Sequence, residues 1–207
     1  MSVLNKIAYF QNRRDEVPNQ ELAKQLAATR NKKGIREIAE NLGDKNQNIQ
    51  SDCLKVLYEI GYLAPDLIAD YVDDFLRLLK SKNNRMVWGS MIALATIAEL
   101  RPREIWQSLD DMTNAIEQGT LITLVWGLKT LARVASTNPR YRAKIFPILM
   151  KHLKACIPRD VPTHAESISI AVDRRHQKEF LAILESRRKE MTPVQAARLR
   201  KITKLYA

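Results

Sequence analysis

Three nine-residue stretches of this chain, LYEIGYLAP (57–65), LATIAELRP (94–102) and LARVASTNP (131–139), superpose at a constant spacing of 37 residues. A fixed period of that length constrains the fold more than any local propensity, because each unit must bury its apolar face against a neighbour built the same way. Stepping by 37, Leu54 is followed by Met91 and Leu128, Leu57 by Leu94 and Leu131, and Ile60 by Ile97 and Val134. Gly61 becomes Ala98 and Ala135, a small position that suits close helix approach. Beyond the proline come Val72, Leu109 and Phe146, then Phe75, Met112 and Leu149, then Leu79, Ile116 and Leu153.

Within a unit, positions 54, 57, 60 and 61, and again 68, 72, 75, 76 and 79, follow the three-and-four rhythm of a buried helical stripe. Pro65, Pro102 and Pro139 divide the two stripes, and a proline suits the first turn of the second helix because its missing N–H would be unpaired there anyway. Each unit therefore reads as helix, short turn, helix, and stacking the units gives a continuous core. The clear repeats span residues 45–155. KKGIREIAENL reads as the second helix of a degenerate earlier repeat within 1–44, with Ile35, Ile38 and Leu42 in register. Ile168, Ala171 and Val172 carry the register forward, and the phase then slips into a divergent cap over 156–207. That cap contains QKEFLAILESRRK and a last helix with Thr192 as N-cap and Pro193 in its first turn. CIPRDVPTH (156–164) is the expected linker.

This two-helix unit resembles the HEAT repeat, with armadillo-like arrays as close relatives. The resemblance implies an all-α, right-handed α-α solenoid of about five two-helix repeats with atypical capping ends, forming a single domain over 1–207. It also implies a role as an interaction surface, with the second helices lining the concave face.

Composition agrees with an all-helical chain: 207 residues, 45% hydrophobic, with only six glycines and eight prolines. No run approaches the ~18 apolar residues of a spanning helix. MSVLNKIAYFQNRR does not have the order of a secretory signal, in which charges precede a longer apolar stretch. Cys53 and Cys156, far apart and in no CxxC pair, are expected as free thiols, and a cytoplasmic location follows.

The net charge of +11 is unevenly placed. Residues 1–118 carry 16 basic and 17 acidic side chains, whereas 119–207 carry 18 and 6. Between 119 and 155 there are seven basic residues, Lys129, Arg133, Arg140, Arg142, Lys144, Lys151 and Lys154, and no acid. In register, Asp70 becomes Gln107 and then Lys144, and Arg77 becomes Asn114 and then Lys151. Arg140, Lys144 and Lys151 fall on one side of one helix, with Ile148 between the lysines as a small apolar anchor. The basic half centred on residues 129–154, that is Lys129, Arg133, Arg140, Arg142, Lys144, Ile148, Lys151 and Lys154, is the expected contact with a macromolecular partner. An acidic protein is favoured, and DNA or RNA is the alternative because the same stripe could follow a phosphate backbone. A solvated face that merely keeps the chain soluble gives the same pattern.

Catalytic and cofactor motifs are absent. The chain has no GxxxxGK[ST], GxGxxG or GxSxG, and no cofactor is expected. His152 and Cys156 are four apart on a helix and could share a face, but no second close pair accompanies them, so no metal site is expected. Asp66, Asp70, Asp73 and Asp74 lie on a helix without a loop to wrap a cation and read as a solvated face. Trp88 and Trp126, in the repeated triplet VWG, read as packing residues between repeats. One catalytic alternative comes from another resemblance. Some HEAT-like proteins are alkylpurine DNA glycosylases, and Trp106 four residues before Asp110 could place an aromatic and a carboxylate against a damaged nucleotide.

Overall fold

The computed structural model describes residues 2–206. Among them there are twelve α-helices, joined by short turns and 3-10 segments, and no strand. The helices are α1 (Val17–Ala28), α2 (Lys32–Glu40), α3 (Gln47–Leu63), α4 (Val72–Leu78), α5 (Asn84–Ile97), α6 (Pro102–Gln107), α7 (Leu109–Gln118), α8 (Leu121–Thr137), α9 (Pro139–Ala155), α10 (Val161–Ile168), α11 (Gln177–Arg187) and α12 (Pro193–Thr203). None is long and apolar enough to cross a membrane. The chain divides into two compact units, with the boundary between Gly127 and Leu128, inside α8.

In the first unit the first helices of successive repeats pack together, α1 on α3 and α3 on α5. Their starts share a device that the apolar pattern does not reveal. Asn46 and Asn83 accept from Asn48 N and Arg85 N, and Thr120 accepts from Thr123 N at 3.4 Å, so a capping side chain recurs every 37 residues. Leu54, Leu57, Ile60, Met91, Leu94 and Ile97 are all buried, as their register requires. The small row also has its reason. A Cβ on Gly61 would lie 2.3 Å from Thr96 Oγ1 of α5, so only hydrogen fits at that approach. Tyr58 and Tyr62 of α3 stack against Trp88 and Trp126, with ring centroids 6.3 and 5.9 Å apart, so both tryptophans do pack between repeats. Lys55, buried in the same helix, is neutralised by Glu16 and Glu59 at 2.8 and 2.7 Å and lies over the Tyr58 ring.

The second half of each repeat departs from a plain second helix. After Pro65 the chain makes two 3-10 turns before α4, and after Pro102 it makes α6 and then α7. The interruptions fall on one register row, at Tyr71 and Ser108, whose ψ values of 17° and 25° leave the helical basin. In the third repeat that row holds the fully buried Ile145, and α9 runs unbroken for 17 residues. Its start differs too. Asn138 caps α9 by accepting from Arg140 N at 2.8 Å, where the earlier repeats have Ala64 and Arg101 and no side-chain cap.

In the second unit Ile145, Phe146, Leu149 and Leu153 of α9 are buried, as are Val161, Ala165 and Ile168 of α10 and Phe180 and Leu184 of α11. The expected linker is shorter than the two prolines suggested: α10 begins at Val161, and Pro162 sits in its first turn. Thr192 caps α12 and is joined by Gln195 in a full capping box. Asp173 receives Arg142 Nη1 at 2.8 Å and His176 Nδ1 at 2.6 Å. Chiefly through the His176 hydrogen bond, its carboxyl is held down to about 2. With an unfolded value near ~3.9, this group contributes stability above that pH, and the contribution is lost as pH falls through about 2. Asp173→Asn should therefore flatten the acid limb: its urea midpoint should fall less than that of the wild type between about pH 5 and pH 2. An identical fall in the two proteins would remove Asp173 as an acid-sensitive group.

Candidate partner-binding surface

The basic candidates separate once each is placed in its repeat row. Arg140, Lys144, Lys151 and Lys154 occupy rows that are exposed in every repeat: Asp66 and Arg103, Asp70 and Gln107, Arg77 and Asn114, and Lys80 and Glu117. At about 100° per residue the four fall within an arc of about 80°, and at about 1.5 Å per residue they span about 21 Å of α9. Lys154 lies 3.7 Å from Glu179, a contact between two exposed side chains. Ile148 is half-buried at the edge of this arc, in a row that is half-buried throughout. Pro147 is exposed within it, and its missing N–H leaves the helical bond to the Ala143 carbonyl unmade.

The other candidates do not join the stripe on equal terms. Lys129 and Arg133 are half-buried on α8. Arg142 points inward: it occupies the row of the fully buried Ile68 and Ile105, its side chain is 14% exposed, and its guanidinium serves Asp173 and the Ser136 carbonyl. The signal was available in the sequence, since row 68 belongs to the buried stripe.

Three members of the acidic group of the first unit are answered by arginines. Asp66 pairs with Arg30, Asp70 with Arg101, and Asp74 with Arg77. Trp106 and Asp110 do not share a helix, because the break at Ser108 puts half-buried Trp106 on α6 and exposed Asp110 on α7. The one-turn spacing assumed for a nucleotide site is therefore not made.

Near its C-terminus α9 carries His152, and Cys156 is its C-cap. His164 of α10, 2% exposed, approaches from the side, with His152 Nε2 and His164 Nδ1 2.9 Å apart. Burial holds the His152 imidazole down to about 4, assisted by His164, and burial also lowers His164, so both rings are neutral near pH 7. Burial raises the Cys156 thiol, opposed by the charge of Arg187. Sequence spacing showed only the His152–Cys156 pair. His164 enters across a proline-containing turn, which no helical periodicity can foresee.

Arg187 of α11 fixes this corner. Nη1 donates to the Leu153 and Lys154 carbonyls at 2.9 and 2.7 Å, Nη2 to the Cys156 carbonyl at 2.7 Å, and Nη2 and Nε to the Glu190 carboxylate at 3.0 Å each. These five bonds match the five N–H donors of a guanidinium. They satisfy carbonyls that the end of α9 would otherwise leave open.

No protein-family model matches this sequence, and no curated protein matches it. Solved structures do. A designed armadillo repeat protein in complex with the peptide (KR)4 superposes with a TM-score of 0.70 at 12% identity, covering 91% of this chain and 87% of that one. An engineered protein covers 99% and 96%, with a TM-score of 0.64 and 16% identity. The karyopherin Kap121p bound to Pho4p gives 0.66 at 16% identity over 89% of this chain, which spans 21% of the karyopherin. The 37-residue register, the buried rows and these superpositions together give the chain the all-α solenoid fold of armadillo and HEAT repeats.

Proposed function

We propose that this chain is a non-catalytic cytoplasmic scaffold that binds an acidic segment of a protein partner along the exposed face of α9. The observation that carries the reading is the row of Arg140, Lys144, Lys151 and Lys154 on one side of an uninterrupted helix, within a stretch of 37 residues that has no acid. Like charges gathered on one side of a helix repel one another, and an acidic ligand relieves that cost. A designed armadillo repeat protein of similar fold is in complex with the basic peptide (KR)4, and the same principle with the sign inverted suits a Glu- or Asp-rich segment. Half-buried Ile148 adds an apolar contact beside the lysines.

The test compares two probes, a labelled peptide of eight alternating Glu and Ala residues and a labelled mixed-sequence DNA duplex, at about 50 and 200 mM salt. The scaffold reading expects the peptide to bind more tightly, weakening as the Debye length contracts from about 14 to 7 Å. Tighter binding of the duplex, with affinity falling linearly in log salt, would instead assign the stripe to nucleic acid.

A further inference from the structure

The corner formed by His152, Cys156 and His164 has no part in the docking surface, yet it gathers three soft or borderline metal ligands. One donor atom from each, an imidazole nitrogen from both histidines and the Cys156 sulfur, lies within 4.8 Å of the other two. We propose that this corner is a zinc-type metal site, in which His152 Nε2, His164 Nδ1 and Cys156 Sγ hold one divalent ion between α9 and α10.

The nitrogens need little adjustment, whereas the Cys156 sulfur, in a set whose donor atoms spread to 4.8 Å, must move in by about 1 Å. Zinc–nitrogen bonds of about 2.0–2.1 Å and zinc–sulfur bonds of about 2.3 Å, set at tetrahedral angles, place ligand atoms roughly 3.3–3.6 Å apart. The two imidazole nitrogens, now 2.9 Å apart, would separate by about 0.4 Å. The hydrogen bond between them has one N–H donor and one lone-pair acceptor. On metal binding that N–H proton moves to the far nitrogen of its own ring, both facing nitrogens present lone pairs, and Cys156 releases its thiol proton to solvent. One metal dication thus displaces one proton from the protein.

Three features support a built site. His164 is fully enclosed on α10, so its ring is held by packing rather than free to swing into water. Cys156 is held at its backbone by Arg187, which donates to its carbonyl, and that guanidinium also favours the thiolate. The Asp160 carboxylate is close enough for its charge to act on all three groups, and it favours a bound cation. A set of two imidazoles and one thiolate suits zinc and discriminates against magnesium and calcium, which take oxygen ligands. Coordination would join the end of α9 to α10 across the turn at 157–160, adding to the histidine pair already there.

The decisive experiment uses the purified full chain, stripped with a chelator under reducing conditions and titrated with cobalt(II) and then zinc. Binding should saturate at one cobalt per chain, give a thiolate-to-cobalt charge-transfer band, and be displaced by zinc but not by magnesium. Cys156→Ser should lose the band and bind cobalt at least about tenfold more weakly, the lower bound seen even for loss of an outer-shell partner. His164→Asn should weaken binding as much, with helical circular dichroism reporting that the variant is folded. Cys53→Ser, which alters the buried cysteine of the other unit, should behave as wild type. A wild-type chain without the band, or a band retained in Cys156→Ser, would overturn the site.

Discussion

Arg187→Met should lower the melting temperature by about 6–20 °C. The side chain is 10% exposed and gives five hydrogen bonds, three of them to backbone carbonyls at the end of α9. Three buried or part-buried carbonyls lose a charged donor, at about 1–3 kcal/mol each before relaxation, so a loss of about 3–5 kcal/mol is expected. The Glu190 carboxylate, 47% exposed, is taken up by water. Methionine fills much of the volume, so the loss reports the bonds more than a cavity. For a chain of this size each kcal/mol shifts the melting temperature by about 2–4 °C, which gives the range stated. Arg187→Lys should recover only part of the loss, since an ammonium keeps the charge but cannot reach three carbonyls and a carboxylate from one planar fork. A melting temperature within about 2 °C of wild type for Arg187→Met would contradict the role given to this residue.

Gly61→Leu should be the most damaging change at the small row of the repeat. Even the first added carbon would sit 2.3 Å from Thr96 Oγ1 and 2.9 Å from Ile68 Cδ1. Overpacking of this kind costs about 1–3 kcal/mol, and a branched four-carbon side chain belongs at or above the upper end. The smaller change Gly61→Ala sets two effects against each other. Alanine gains about 0.5–1 kcal/mol over glycine inside a helix, but the clash with Thr96 outweighs it, so the net change should still be destabilising. Thr96→Ala removes the nearest obstacle at the cost of only a local bond to the Ala93 carbonyl. The double variant Gly61→Ala/Thr96→Ala should therefore be more stable than Gly61→Ala alone, a coupling that urea unfolding of the four proteins measures directly. Additive effects would show that the row is small for some reason other than the approach of α3 to α5.

The apolar rows were legible in the sequence because burial repeats with the period. Leu57, Leu94 and Leu131 are all fully buried, and so are Phe75, Met112 and Leu149. The capping row at Asn46, Asn83 and Thr120 has the same period but lies in polar residues, where a search for apolar stripes does not look. The breaks at Tyr71 and Ser108 were not legible, since neither residue forbids a helix. They lie three residues after the fully buried Ile68 and Ile105, in the row where the third repeat has buried Ile145 and no break. Among the basic residues, Lys144 and Lys151 stand exposed where the register put them, whereas Arg142 shows that a charge count ignores which row each charge occupies. The histidine pair depends on a turn between two helices, and its members have no periodic relation.

The central claim is that the α9 stripe, rather than net charge, draws an acidic partner. The most direct measurement is the affinity of the Glu-rich peptide for three proteins at about 100 mM salt: wild type, Lys144→Glu/Lys151→Glu, and Lys24→Glu/Lys33→Glu. Both variants change the net charge equally, and Lys24 and Lys33 are exposed in the first unit. Surface charges are worth about 0.2–1 kcal/mol each, and reversal turns attraction into repulsion, so the stripe variant should bind about 10–100-fold more weakly. The control should bind within about threefold of wild type, with helicity and melting temperature unchanged in both. Equal loss in the two variants would reduce the effect to overall charge, and unchanged affinity in Lys144→Glu/Lys151→Glu would contradict the proposed surface.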